Sequence, residues 1–269
     1  MALTEVVDVL VIRSDFVEAM VAHARADHPD EACGVIAGPE GSDRPERHIP
    51  MINAERSPTF YRFDSGEQLK VWRAMDDADE VPVVIYHSHT ATEAYPSRTD
   101  ISFASEPDAH YVLISTRDPD AHELRSYRIV DGVVTEEPVE WCRATSSPTH
   151  RSRTSPTSDD SVPRDGPAAE RHPHPEEPTM AVTVSIPTIL RSHTGGEKRV
   201  EATGPTLSAV IDDLDGNYGG IKDRLIDGGR LHRFVNVYVN DEDVRFSGGL
   251  DTEVADGDSV TILPAVAGG

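Results

Sequence analysis

Apolar and polar positions alternate in short, well-separated runs over the first 142 residues. "VVDVLVI" (6–12) reads as a strand, and "SDFVEAMVAHARAD" (14–27) spaces its apolar residues as one face of a helix, with Ser14 or Asp15 as the cap. "ACGVIAG", "RHIPMIN", "TFYRF", "VPVVIYH", "AHYVLIST", "ELRSYRIV" and "VVTEEPVEW" read as further strands, and "SGEQLKVWRAMDDAD" (65–79) as a second helix. This pattern predicts a mixed α/β domain over residues 1–142.

From Arg143 to Thr179 the pattern stops. The stretch is rich in Ser, Thr, Pro and charge and nearly empty of large apolar residues, so it cannot offset the entropy of ordering itself. Residues 143–180 are therefore expected to form a flexible linker. His172 and His174 within it read as linker rather than as metal ligands.

Periodicity returns after Met180. "VTVSIPTILR" reads as a strand, "HTGGE" as a turn, "KRVEA" as a strand and "TLSAVIDDLDGNY" as a helix; "FVNVYVN" and "SVTILPA" follow, with the turn "ADGD" between them. Residues 181–269 are thus expected to form a small α+β domain, a sheet packed on one helix.

Composition narrows the function classes. The formal net charge of −23 repels phosphates and anionic lipid, which argues against nucleic acid and membrane partners. The first residues are acidic and no apolar run reaches the roughly 18 residues of a membrane span, so a cytoplasmic protein is expected. Cys33 and Cys142 are the only cysteines and lie far apart, which leaves His, Asp and Glu to hold any metal. Cys33 is expected to be a small buried residue.

"YHSHTATEAYPSRTD" (86–100) carries the candidate chemistry. In a strand, His87 and His89 project from one face while Ser88 points away. Pro96 and Ser97 suggest a turn into a short helix, from which Asp100 can fold back onto the two imidazoles. An H-x-H pair alone does not specify a metal, because histidine is also a common surface residue. Two histidines and a carboxylate, however, make a zinc set with a fourth position open to water, although iron or manganese fits the same donors. Glu31, at the head of the apolar strand "ACGVIAG", is the candidate general base, and Ser97 the candidate donor to a developing oxyanion.

The whole constellation, "EACG" upstream and then "HSH", seven residues, Ser97, two residues and Asp100, resembles the JAMM metallopeptidase motif, whose fold is also called MPN or JAB. The resemblance covers the first domain and implies zinc on His87, His89 and Asp100, with Glu31 catalytic. At the other end, "DGDSVTILPAVAGG" resembles the tail of ubiquitin-like β-grasp sulfur carriers of the ThiS and MoaD type, which implies that Gly268 and Gly269 form the carrier terminus. As no residue follows Gly269, such a carrier is expected to need no trimming.

The pairing resembles the actinobacterial route to cysteine. There a carrier thiocarboxylate attacks an activated serine, an acyl shift gives carrier-Gly-Gly-cysteine, and a JAMM hydrolase frees the cysteine. That implies an adenylating enzyme and a pyridoxal-phosphate-dependent cysteine synthase-like enzyme as partners, besides the carrier tail in cis or trans. The linker's reach of roughly 35 Å makes docking in cis feasible. Two other readings stand beside this one: an isopeptidase removing a carrier from protein lysines, and a sulfur carrier for thiamine, molybdopterin or tRNA thiolation with a non-catalytic first domain.

Overall fold

The computed structural model describes residues 9–143 and 181–269. The predicted linker, with His172 and His174, lies outside the described residues except for Arg143.

Strand β1 (Leu10–Arg13) runs directly into helix α1 (Ser14–Asp27). The helix has the expected bounds, but its N-cap is Arg13 rather than Ser14 or Asp15. Arg13 keeps the extended backbone of the strand, so both candidates already lie in the first turn, and the Asp15 carboxylate accepts from the Arg13 guanidinium at 2.9 Å. There follow β2 (Cys33–Pro39), β3 (Arg47–Met51), β4 (Tyr61–Arg62), α2 (Ser65–Asp77), β5 (Glu80–His89), α3 (Arg98–Phe103), β6 (His110–Ser115), β7 (Glu123–Val130), β8 (Val133–Glu137) and β9 (Val139–Cys142).

Six of these strands form one sheet in the order β3-β2-β5-β6-β7-β8. Every neighbouring pair is antiparallel except β5 and β6, which are parallel and so need a crossover. Helix α3 lies in that crossover, and the crossover leaves the carboxyl end of β5 where the "HSH" triplet stands. "VVTEEPVEW", read as one strand, divides at Pro138, which has no N–H for a ladder. β9 beyond it pairs in parallel with β1.

Strand alternation gives the sheet two different faces. Val84, Tyr86, Val112 and Ile114 pack with Phe16, Val17 and Met20 of α1 in one apolar cluster. Ile85 and Leu113 point the other way, towards Leu69, Trp72 and Met75 of α2. Gly34 is required opposite Tyr86, because a Cβ there would stand 2.5 Å from the phenol oxygen.

The second segment has β10 (Ala181–Ser185), β11 (Arg199–Thr203), α4 (Leu207–Asn217), α5 (Ile221–Leu225), a short pair β12 (Ile226–Asp227) and β13 (Arg230–Leu231), β14 (Val235–Val239), β15 (Glu242–Asp243), β16 (Ser259–Pro264) and β17 (Ala267–Gly268). The strand expected over "VTVSIPTILR" ends at Ser185, and after Pro187 the chain makes a 3-10 turn at Thr188–Leu190. The sheet order is β11-β10-β16-β14-β15, with β10 and β16 parallel at its centre. Helix α4, capped by the Thr206 hydroxyl, buries Leu207, Val210, Ile211 and Leu214 against it, at i, i+3, i+4 and i+7. This is the expected β-grasp domain beside the expected α/β domain.

The two domains meet on the α2 face. Tyr238, Leu263 and Val266 join the apolar cluster of Phe63, Leu69 and Trp72. The buried Gln68 amide donates to the Pro264 carbonyl at 2.7 Å, and the Tyr238 hydroxyl donates to the Ser65 carbonyl at 2.9 Å. β17 leaves the second domain altogether and pairs with β4. No helix among the described residues is long and apolar enough to cross a membrane.

Candidate active site

The site forms where β5 ends. Ser88 faces the opposite side from its two neighbours, as alternation requires, and clamps the start of β2: its N–H donates to the Ala32 carbonyl at 2.9 Å and its hydroxyl accepts from the Ala32 N–H at 2.8 Å. This clamp fixes Glu31 beside the two histidines. The Glu31 backbone is held further by its own N–H to the Ser57 carbonyl and by the Asn53 amide, which donates to the Glu31 carbonyl, both at 2.9 Å.

His87, His89 and Asp100 converge, all three buried, with one ligand atom from each within 4.8 Å of the others. The two Nε2 atoms are 3.1 Å apart, and the Asp100 carboxylate lies 3.1 Å from His87 and 3.5 Å from His89. His89 Nδ1 donates to the Glu93 carbonyl at 2.9 Å, which leaves the Nε2 lone pair facing the centre. His87 stacks on Tyr61, ring centroids 4.5 Å apart. Asp100 sits in the first turn of α3 in a reciprocal cap: Ser97 Oγ accepts from the Asp100 N–H at 3.0 Å, and the Asp100 carboxylate accepts from the Ser97 N–H at 2.6 Å. Burial works against ionisation of Asp100, but His87 and the hydrogen bonds around it outweigh burial and hold the carboxyl well below the usual range.

These residues fit a metal ion. Two imidazole nitrogens and a carboxylate point at one centre, and no Lys or Arg is hydrogen-bonded or ion-paired to any of the three among the described residues. Glu31 stands by: its Oε2 is buried without a partner, and burial pushes its carboxyl up to about 8, against the favourable charge of His89. A buried acid with an unused oxygen next to a metal set has the properties of a proton acceptor for a water molecule.

The terminus Gly268–Gly269 lies in this site. Ala267 and Gly268 pair antiparallel with Arg62 and Tyr61, and the Phe63 N–H donates to the Val266 carbonyl at 3.1 Å. The Gly269 N–H donates to Asp100 Oδ1 at 2.7 Å, and the Ser97 hydroxyl donates to the Gly269 carbonyl oxygen at 2.8 Å. A Cβ on Gly268 would stand 2.0 Å from Asp100 Oδ1, and one on Gly269 2.4 Å from the Thr59 carbonyl. Gly269 also takes φ +121, a conformation open to glycine. Side-chain-free residues are therefore required at both positions.

All seven residues expected at the two ends of the chain thus come together. The strand that receives the tail, and Asn53 behind Glu31, carry no local signal of their part in the site. "TFYRF" was expected as a strand but not as the tail's pairing partner, and Tyr61 under His87 carries no such signal either. Their roles follow from contacts made only in the fold.

Residues 13–130 match the family described as prokaryotic homologs of the JAB domain, and residues 184–269 match the ThiS family. The chain belongs to both: it joins a JAB-type peptidase domain to a ubiquitin-like domain of the ThiS type. Its first part is 88% identical over 131 residues to the CysO-cysteine peptidase of Mycobacterium tuberculosis, covering 49% of this chain and 90% of that protein. Its last part is 74% identical over 93 residues to the sulfur carrier protein CysO of the same organism, covering 34% of this chain and all of that protein. The first part is also 32% identical over 111 residues to the desampylase of Haloferax volcanii, covering 39% of this chain and 80% of that protein.

Proposed function

We propose that the first domain hydrolyses the amide that joins Gly269 to cysteine, releasing cysteine from the carrier fused to it, with the carrier regenerated as a free Gly269 carboxylate. The observation that carries this reading is the Gly269 carbonyl oxygen, which accepts from Ser97 beside the His87, His89 and Asp100 set. The relatives named for a carrier-cysteine peptidase and for its carrier match the two halves of the chain separately.

In this reading His87, His89 and Asp100 hold zinc, which when bound supplies a Lewis acid and brings the pKa of a coordinated water towards 7. Ser97 polarises the Gly269 carbonyl and stabilises negative charge growing on its oxygen. Glu31 takes a proton from the attacking water, the water oxygen bonds to the Gly269 carbonyl carbon, and the bond from that carbon to the cysteine nitrogen breaks. Glu31 then returns the proton to the leaving amine. Pairing of β17 with β4 aligns the scissile bond. The glycines let the backbone reach the site, where a single methyl would collide with Asp100. The cycle also calls for an adenylating enzyme to activate the Gly269 carboxylate and a pyridoxal-phosphate enzyme to supply the serine-derived acceptor.

The desampylase match favours a second reading, removal of the carrier from protein lysines. One experiment separates the two. The chain extended by a single cysteine after Gly269, and a carrier conjugate through a lysine side chain, are each incubated with zinc while free cysteine and free carrier are followed by mass. The proposal expects cysteine release and slow or no lysine deconjugation; rapid deconjugation with the cysteine retained overturns it.

A further inference from the structure

The carrier meets the peptidase domain at a second place, away from the tail groove. Arg191 reaches Glu40 at 2.9 Å and Asp76 at 3.2 Å, Lys198 reaches Glu40 and Asp79 at 2.8 Å each, and Arg199 reaches Asp76 at 3.2 Å. Lys198 holds the Glu40 and Asp79 carboxyls below their ordinary values. Three of the eight Lys and Arg residues in the carrier segment 181–269 gather here, in a segment that carries fourteen acids.

The acids themselves violate the rules of their own helix. Asp76 stands in the last turn of α2, and Asp79 stands just past its end, where the helix dipole disfavours anions and no basic residue of the last turn offsets them. Asp79 also takes φ +52, at a position after a helix end where glycine is the usual residue. Local violations without local compensation mark a site whose compensation comes from elsewhere in the assembly. Here it comes from the carrier.

We propose that Glu40, Asp76 and Asp79 form a docking surface, separate from the Gly-Gly groove, by which the peptidase domain recognises the body of a ubiquitin-like carrier presenting Arg191, Lys198 and Arg199. Its occupant is the chain's own carrier, which holds the tail in the active site and keeps carriers of other molecules out. The inference rests on the carrier-cysteine reading for its meaning but not for its test, because docking has a readout that needs no catalysis.

That readout is hydrogen exchange at the Phe63 amide, which donates to Val266 only when the tail is seated. The triple reversal Arg191→Glu, Lys198→Glu and Arg199→Glu is expected to lower its protection on the order of tenfold, and adding Glu40→Lys with Asp76→Lys to restore it. The triple reversal and the pair Glu40→Lys with Asp76→Lys, each alone in an enzyme chain, act oppositely in trans on a substrate chain that carries Glu31→Gln and one cysteine after Gly269. An enzyme chain with the triple reversal frees its own groove but keeps its acids, so it cleaves that substrate faster than the parent. One with Glu40→Lys and Asp76→Lys frees the groove but has lost the patch, and does not. Unchanged Phe63 protection in the triple reversal, or equal trans rates in the two enzyme variants when the parent chain does release cysteine, overturns the proposal. Protection that falls and returns as described, in a parent chain that releases no cysteine, leaves the docking surface standing and removes the hydrolase reading instead.

Discussion

The two faces of the six-stranded sheet are built from the same strands and do different work. On the α1 face, Val84, Tyr86, Val112 and Ile114 close against a helix adjacent in sequence, and the core there is complete within the peptidase domain. On the α2 face, Ile85 and Leu113 of the same strands pack below the site, and the row of Ile85 continues into His87 and His89. That face is finished by Tyr238, Leu263, Val266 and the glycine tail, contributed from beyond residue 181. The difference teaches that one strand can specify fold and chemistry at once, because successive side chains never share a face. The face that lacks a local cover is the one where a substrate is received.

The sharpest way to break the comparison is to remove chemistry from the α2 face alone. Glu31→Gln should slow cysteine release on the order of a thousandfold, as expected for loss of a general base, with the fold unchanged by circular dichroism. Met20→Ala is the converse. Met20 lies on the buried face of α1, packed against the sheet, so the truncation should destabilise the domain by about 3 kcal/mol in a denaturant titration and leave the rate of the folded protein within twofold. Gly268→Ala brings a methyl against Asp100 and Tyr61, and should slow release by ten- to a hundredfold with little change in the stability of the peptidase core.

A further effect concerns pH. Burial raises the Glu31 carboxyl from near 4.5 to about 8, so the folded chain binds this proton more tightly than the unfolded chain. The stability it lends is present below about 4.5 and is lost as pH rises through about 8. In chelated protein, Glu31→Gln should therefore gain stability over the parent as pH rises from about 5 to 8, with the difference smallest at the acid end. A difference that grows towards low pH would contradict the placement of Glu31 in a desolvated site without a partner.

The residues of the α2 face could be read from sequence to different depths. His87, His89, Ser97 and Asp100 lie within one stretch, where strand alternation and a turn into a helix bring them together by local rules. Glu31 sits over fifty residues earlier, yet its place at the head of an apolar strand signals it. The elements that receive the tail could not be read. β4 is two residues long, its partner lies some two hundred residues away, and no propensity records such a pairing. The cap of α1 was misassigned because Ser and Asp usually cap, whereas here the strand runs into the helix at Arg13. Pro138 did carry a signal for dividing the last strand of the domain. Arg191, Lys198 and Arg199 look like ordinary solvated charges until Asp76 and Asp79 are seen opposite them.

The chain's own tail completes its own active site. The direct measurement uses the chain extended by one cysteine after Gly269, purified with chelator, started with zinc and followed by intact mass over a hundredfold range of protein concentration. Docking in cis gives loss of one cysteine residue with a first-order rate constant that does not change with concentration. A rate constant that rises in proportion to concentration, or a mass that never falls although zinc is bound, would contradict it.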